Sequence, residues 1–151
     1  MKTILSFLIL CAVTNAGFAA EVNECKDWRS SAHAIAEPWE ENTRTFSNGK
    51  VRVAIMDTIE PALGAFHVLV LSPPYDEVGS NQCKLISAGN GIGFSGIDMK
   101  DMKSGYDPST GLALEFPVQR YNGETDEMDK VLLTVSINQK TGQITVGYDL
   151  Y

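Results

Sequence analysis

The chain has 151 residues, 44% of them hydrophobic, and its 12 basic and 19 acidic residues give a formal net charge of −7. This length is typical of one domain. The acidic balance disfavours nucleic acid and anionic lipid as partners, because both are bound through basic surfaces. A basic protein, a cation or a neutral ligand stays open, and the need for solubility also explains the charge.

The first residues, Met1–Ala19, have the pattern of a secretory signal peptide. An apolar run, Ile4–Val13, follows one basic residue, and Gly17-Phe18-Ala19 supplies the small residues that a signal peptidase needs. The run is shorter than the roughly 20 apolar residues of a membrane anchor. We therefore predict cleavage before Ala20, no membrane insertion afterwards, and a periplasmic or secreted location.

Residues 20–151 then form one predicted domain. With Lys2 removed, 11 basic and 19 acidic residues leave a net charge of −8. Cys11 falls in the apolar segment and is predicted to be removed with it. Cys25 and Cys83 remain as an even pair without Cys-x-x-Cys spacing, so a structural disulfide is expected rather than a reactive or metal-binding thiol pair. Closing this loop stabilises the fold by about 4 kcal/mol in the chain-entropy model.

Period-2 alternation predicts strands through the first half of the domain. In residues 51–56, Val51, Val53 and Ile55 form one apolar face. The run Phe66–Leu71 is almost wholly apolar, which indicates a central strand covered on both faces, and Ser72-Pro73-Pro74 is expected to end it. Two shorter strands, Gln82–Ala88 and Ile92–Ile97, lie between glycines. The segment Ser30–Ala36, ended by Pro38, fits either a strand or a helical turn.

The second half of the domain contains one short predicted helix and the clearest strand signal. Asp98 can cap a helix that ends at Gly105, with Met99 and Met102 as core contacts. Leu112–Val118 alternates again, and continuity past Pro117 requires an edge or a bulge.

Residues 131–137 and 144–148 form a predicted hairpin, whose turn places Gly142 in the left-handed region. Together these segments predict an all-β fold: an antiparallel sandwich or small barrel of seven to eight strands with one short helix.

The motifs that suggest chemistry all have simpler structural explanations. Gly91–Gly96 matches G-x-G-x-x-G, but the β-rich context favours a bulge or close sheet packing over a dinucleotide site. Ser95 misses the nucleophile elbow G-x-S-x-G, and His33 and His67 are expected to be structural. The acidic residues in 124–129 do not have EF-hand spacing, so a solvated loop is favoured over a calcium site. No catalytic residue, metal site or cofactor is predicted.

Two loops with tyrosines are the best candidates for a contact surface. Pro73-Pro74-Tyr75-Asp76 and Ser104-Gly105-Tyr106-Asp107-Pro108 each place a tyrosine among turn-forming residues. Ser104, Tyr106 and Tyr75 are therefore the candidate binding residues, with ordinary turns as the alternative. Trp28 and Trp39 are candidates for the same surface or, near a disulfide, for the core.

Two families resemble parts of this chain. Gln82–Ile86, a short helix ending at Lys103-Ser104-Gly105, and the strand Leu112–Val118 resemble the layout of invasion-associated protein B, a group of small exported proteobacterial β-sandwich proteins, although a second nearby cysteine is missing here. Ser104-Gly105-Tyr106 is similar to the Ser-Gly-x-x-Tyr loop of periplasmic lysozyme inhibitors, without the two intervening residues. That second resemblance implies that Ser104 and Tyr106 contact a basic enzyme.

The expected function is that of an exported, non-enzymatic β-sandwich protein that binds an unidentified partner, such as another protein, in the cell envelope. Lysozyme inhibition is the narrower alternative. A small secreted hydrolase or metal-dependent enzyme is the rival, and it requires His33 or His67 to lie in a concave pocket within hydrogen-bond reach of a carboxylate.

Overall fold

Ten strands build the part of the chain that the computed structural model describes, residues 19–59 and 64–150. The predicted signal segment lies almost wholly outside these residues. In chain order the strands are β1 (Glu21–Glu24), β2 (Thr43–Phe46), β3 (Val51–Asp57), β4 (Phe66–Tyr75), β5 (Asn81–Ser87), β6 (Gly96–Ile97), β7 (Lys103–Asp107), β8 (Gly111–Asn122), β9 (Glu127–Ile137) and β10 (Ile144–Leu150). Three helical segments are short: the 3₁₀ turns Trp28–Ser30 and Ala32–Ala34, and the helix α1 (Trp39–Asn42).

The strands form two antiparallel sheets of five strands each. The first has the order β1-β5-β4-β3-β2, and the second has the order β10-β9-β8-β6, with β7 also paired to β8. The sheets do not close into a barrel, so the all-β prediction is confirmed in its sandwich form. The short strands β1, β2 and β7 raise the number above the seven or eight predicted. None of the helices in the described residues has the length and apolar character to cross a bilayer.

The main core lies between the two sheets, where the apolar residues of the alternating strands meet. It includes Val53 and Ile55 from β3, Val68 and Val70 from β4, Leu114 and Phe116 from β8, and Leu133 and Val135 from β9. Burying an aliphatic or aromatic side chain of this size stabilises a fold by about 1.5–3 kcal/mol. The predicted C-terminal hairpin is confirmed: Ile144 pairs with Ile137, and Gly142 has a φ of 79°.

A second apolar cluster covers the outer face of the first sheet. Residues Ala54, Met56, Leu69 and Leu85 pack there beneath Ala34 of the N-terminal segment. The predicted double burial of Phe66–Leu71 is therefore confirmed for residues 67–70. The prediction of a single buried face for residues 51–56 is wrong, because a covering segment remote in sequence buries Ala54 and Met56 as well.

The predicted disulfide holds this covering segment in place. Cys25 and Cys83 are bonded across 58 residues with their Cα atoms 5.5 Å apart, and both pack against the second cluster. The bond joins the end of β1 to β5, so it fastens the N-terminal segment to the middle of the sheet.

The helix predicted after Asp98 is wrong, although its cap is present. The Asp98 carboxylate accepts hydrogen bonds from the backbone N–H groups of Lys100 and Asp101, at 2.8 and 3.2 Å. Residues 98–102 nevertheless form a turn, and Gly105 pairs with Ala113 as part of β7. Pairing along five residues of β8 outweighs a helix of little more than one turn. Met99 is a core residue, as predicted, and Met102 packs against the core.

Prolines interrupt the strands less than their chemistry suggests. The prediction that Ser72-Pro73-Pro74 ends β4 is wrong, because the strand continues to Tyr75 through a shift of register between Ser72 and Tyr75. In β8, Pro117 has neighbours on both sides, but it lies opposite the interval between β6 and β7, where its carbonyl accepts from Asp98 N–H at 2.9 Å. Because neither β6 nor β7 pairs with Pro117, the N–H that proline lacks is not needed on that side.

The strand predicted for Ile92–Ile97 is mostly a loop. Only Gly96–Ile97 forms a strand, while Phe94 makes an isolated bridge with Phe66 and Ile92 closes a turn with Gly89. The ring of Phe94 is fully buried between the sheets.

Candidate functional site

Three turns and the end of one strand, at one end of the sandwich, line a concave cleft of about 830 Å³. They are residues 47–50 between β2 and β3, the end of β4, residues 108–110 between β7 and β8, and residues 138–143 between β9 and β10. We call this the loop-end cleft. It is lined by Ser47, Lys50, Pro73, Tyr75, Tyr106, Pro108, Ser109, Gly111, Asn138, Gln139, Lys140 and Thr141. Its size is in the range of about 300–1,000 Å³ that is typical of small-molecule sites.

Tyr75 and Tyr106 both line the loop-end cleft although they belong to different sheets. Tyr75 is 50% exposed at the end of β4, and Tyr106 is 70% exposed on β7. The prediction that both lie in loops is therefore wrong, because each segment pairs with a neighbouring strand. Tyr106 pairs with buried Leu112, so its ring is on the inner face of its sheet. Because β7 lies at the edge of the second sheet, beyond β8, the ring lines the cleft instead of the core.

Ser104, the third candidate contact, does not line the loop-end cleft. It lies two residues before Tyr106 on the same face of β7, opposite Leu114, and it is exposed. The rise of about 3.3 Å per residue along a strand carries it away from the turns. The structure thus brings together two of the three candidate residues.

Side-chain amides tie the two sheets together at the walls of the cleft. Gln82 Nε2 donates to the carbonyls of Pro73 and Gly142, at 3.0 and 2.9 Å, and so links β4 to the β9–β10 turn. Gln139 Nε2 donates to Ser47 Oγ at 2.9 Å and links that turn to the β2–β3 turn. Sequence reasoning missed both glutamines, because Gly142 is 60 residues away from Gln82 and Ser47 is 92 residues away from Gln139.

Two turns of the cleft are held by their own side chains. The carboxylate of Asp107 accepts from the hydroxyl and the backbone N–H of Ser109, and from the N–H of Thr110 at 3.1 Å. These bonds, the Ser109 hydroxyl first, hold the pKa of Asp107 below its ordinary value. Asn138 Oδ1 accepts from the N–H groups of Lys140 and Thr141, both at 3.1 Å. The walls are therefore preformed rather than loose.

The charge of the cleft is opposite to that of the chain. Of the residues that line it, those with a full charge at neutral pH are Lys50 and Lys140, and both are exposed. Asp107 lies next to the cleft, and its carboxylate keeps its negative charge while it accepts hydrogen bonds within its own turn. The residues that line the cleft thus carry two positive charges, although the chain as a whole carries −7.

His67 is a buried structural histidine, as its place in an apolar strand predicted. It is 2% exposed, and its Nδ1 lies 2.9 Å from the hydroxyl of buried Ser87. Burial, with the nearby Arg29 guanidinium as a smaller cause, lowers the pKa of His67 to about 4. Neither side chain of the pair is accessible to a substrate, so it cannot act as a nucleophile and base. His33 is exposed on a 3₁₀ turn, with its ring near the hydroxyl of Ser31.

The G-x-G-x-x-G sequence permits close packing of the backbone. A Cβ at Gly93 would lie 2.5 Å from the carbonyl oxygen of Phe66 and 3.0 Å from His67 Nε2. Arg29 donates to the carbonyl of Gly91 at 3.0 Å, and the carboxylate of Glu21 accepts from the Gly91 N–H. The glycine loop thus lies over His67, in a β context rather than at the start of a helix.

The acidic loop uses several of its side chains in local contacts. Tyr121 donates its hydroxyl to Asp126 at 2.7 Å, and Asp129 accepts from Asn122 at 3.0 Å and pairs with Arg120 at 3.5 Å. Across residues 19–59 and 64–150, no group of three or more His, Cys, Asp or Glu side chains is arranged to hold a metal ion.

The tryptophans do not fill the core. Trp28 and Trp39 are both about half exposed and lie outside the lining of the loop-end cleft. Comparisons with protein-family models, curated proteins and solved structures found no match to this chain. The two family resemblances therefore stay predictions.

Proposed function

We propose that this protein is an exported, non-enzymatic binding module that holds its partner in the loop-end cleft. The observation that carries the proposal is the convergence of Tyr75 and Tyr106 from two different sheets on one concave surface. Half-exposed tyrosines offer a large contact area with a polar tip, and turns on a rigid sandwich are a common place for recognition.

Three further features support this proposal, one for each of its parts: binding, export and the lack of catalysis. The cleft is preformed by hydrogen bonds of Gln82, Gln139 and Asp107, which lowers the entropy that a partner must offset on binding. The Cys25–Cys83 disulfide is typical of oxidising compartments and fits export. The buried His67–Ser87 pair offers no accessible catalytic group.

Lysozyme inhibition remains the narrower candidate, and exposed Tyr106 on β7 favours it. An inhibitor of this kind needs Ser104 beside that ring, and the two side chains do share one face of the strand. Mixing the purified protein in excess with c-, g- and i-type lysozymes tests this version. Unchanged lysozyme activity in all three mixtures would reject it.

Photocrosslinking in cells tests the binding proposal directly. Tyr75 or Tyr106 is replaced by p-benzoylphenylalanine, which inserts into C–H bonds of proteins and sugars alike, in the organism that makes the protein. Trp39 and Val78, exposed residues outside the cleft, provide matched control positions. We expect a discrete adduct at the two cleft positions and none at the controls. Equal adducts at all four positions, or none in the cleft, would contradict the proposal.

Export is tested separately. Protein recovered outside the cytoplasm should begin at Ala20 when its N-terminus is sequenced, because the small residues before it form the predicted cleavage site. An intact Met1 on protein that stays in the cytoplasm would reject the export part and leave the cleft unaffected.

A further inference from the structure

We propose that the loop-end cleft binds a carboxylated sugar unit, an inference that rests on the proposed binding function and names its ligand class. The cleft combines two aromatic rings, two ammonium groups and several neutral polar side chains. Each of these three features corresponds to one part of an acidic saccharide.

The aromatic rings provide stacking surfaces. Tyr75 and Tyr106 are 50% and 70% exposed and line the cleft from different sheets. A pyranose ring has an apolar C–H face that packs on a tyrosine ring, while its hydroxyl groups stay at the polar edge. Tyrosine matches this division because it has an apolar body and a polar tip.

The two lysines of the cleft favour a negatively charged ligand. Lys50 lies at the end of the β2–β3 turn and Lys140 in the β9–β10 turn, so the two ammonium groups come from different sheets. An ammonium group forms a charge-assisted hydrogen bond with a carboxylate, stronger than one between neutral groups. In a chain of net charge −7, a cleft whose charged lining residues are both lysines favours an anion.

The rest of the lining favours a saccharide over an acidic peptide. No leucine, isoleucine, valine, methionine or phenylalanine lines the cleft among the described residues. An aliphatic side chain of a peptide would have only the two tyrosines and two prolines of the lining to pack on. Hydroxyl and amide groups line the cleft instead, from Ser47, Ser109, Gln139 and Thr141. They can both donate and accept hydrogen bonds, as sugar hydroxyl groups do.

An array of oligosaccharides tests the inference with the purified protein. The probes contain glucuronic, galacturonic, muramic or neuraminic acid, each beside its own methyl ester, which removes the charge and leaves the ring. We expect at least one acid to bind and its methyl ester to bind at least about tenfold more weakly, a loss of 1.4 kcal/mol or more. Added salt should weaken binding of the acid, because the charges are exposed.

Two pairs of variants separate charge from stacking. The double variant Lys50→Gln and Lys140→Gln should lose about tenfold in affinity or more, and Tyr75→Ala with Tyr106→Ala should do the same for the acid. Lys103→Gln and Trp39→Ala change exposed residues outside the cleft and should bind as the unchanged protein does. Circular dichroism and thermal unfolding check that every variant is folded.

Three results would overturn the inference: no binding to any acidic sugar, equal binding of acid and ester, or equally tight binding of an oligoglutamate peptide. Each of these leaves the photocrosslinking result standing by itself. An adduct at Tyr75 and Tyr106 that contains only protein would retain the binding proposal and reject the saccharide.

Discussion

At the scale of single residues, burial changes the chemistry of groups whose type is obvious in the sequence. His67 could be placed in an apolar strand from its neighbours, and its burial is confirmed. Its hydroxyl partner, Ser87, lies 20 residues further along the chain. No local pattern indicates that contact, because it depends on the pairing of β4 with β5.

The low pKa of His67 predicts an acid-sensitive fold. In the unfolded chain the imidazole takes up a proton near pH 6.5, but in the folded protein it does so only near pH 4. The stabilisation is thus complete above pH 6.5 and is lost as the pH falls towards 4, by about 3 kcal/mol in all. Urea unfolding at a series of pH values measures this change.

Two histidine variants distinguish the effect of His67 on acid stability from the effect of the carboxylates, which also take up protons in acid. We expect His67→Gln to have a flatter dependence of unfolding free energy on pH between about 4.5 and 6.5 than the unchanged protein. His33→Gln, a change at an exposed histidine, should keep the full dependence. Identical pH profiles for the unchanged protein and His67→Gln would show that His67 does not cause the effect.

Gly93 is predicted to be intolerant of any side chain. A Cβ there would lie 2.5 and 2.6 Å from the backbone oxygens of Phe66, the first residue of β4, and Gly64, two residues before it. We expect Gly93→Ala to lower the free energy of unfolding by about 1–3 kcal/mol, as overpacking does. Gly105→Ala is the matched control, because nothing lies within 4 Å of a Cβ at that position. Equal stability of the two variants in urea would contradict the close approach.

At the scale of elements, alternation located most strands and misjudged where they end. The apolar pattern correctly predicted β3, β4, β5, β8 and the hairpin of β9 and β10. The end of a strand depends on the neighbouring strand. Strand β8 continues past Pro117 because this residue lies opposite the interval between β6 and β7. The Asp98 cap was predicted correctly, yet residues 103–107 form β7 because they pair with β8.

The disulfide is predicted to hold the covering segment on the first sheet. Replacing Cys25 and Cys83 by alanine should lower the free energy of unfolding by about 4 kcal/mol, because the unfolded chain gains the entropy of an open loop. Alkylation of the non-reduced protein followed by mass spectrometry should leave both cysteines unlabelled. Labelling of both would overturn the bond, and an unchanged stability of the double variant would overturn its role.

Gln82 is predicted to control the rigidity of the loop-end cleft. Gln82→Ala removes the donor to the carbonyls of Pro73 and Gly142 and should cost about 1–3 kcal/mol if both remain buried without a partner. We expect faster hydrogen exchange in residues 138–143, with little change in β9. Gln119→Ala, at an exposed position of β8, is the matched control. Exchange that is unchanged in residues 138–143 would show that the amide does not hold the turn.

At the scale of the whole molecule, the residue pattern by itself determined most of the sheet-forming segments and the cysteine pair. Each of these depends on local spacing or on a count of residues, which the sequence contains. The tertiary structure decided that Tyr75 and Tyr106 face one cleft while Ser104 does not, because strand pairing and the stacking of two sheets place them. It also decided the sign of the local charge. Net charge is a sum over all residues, whereas a ligand meets only those that line the site, here Lys50 and Lys140.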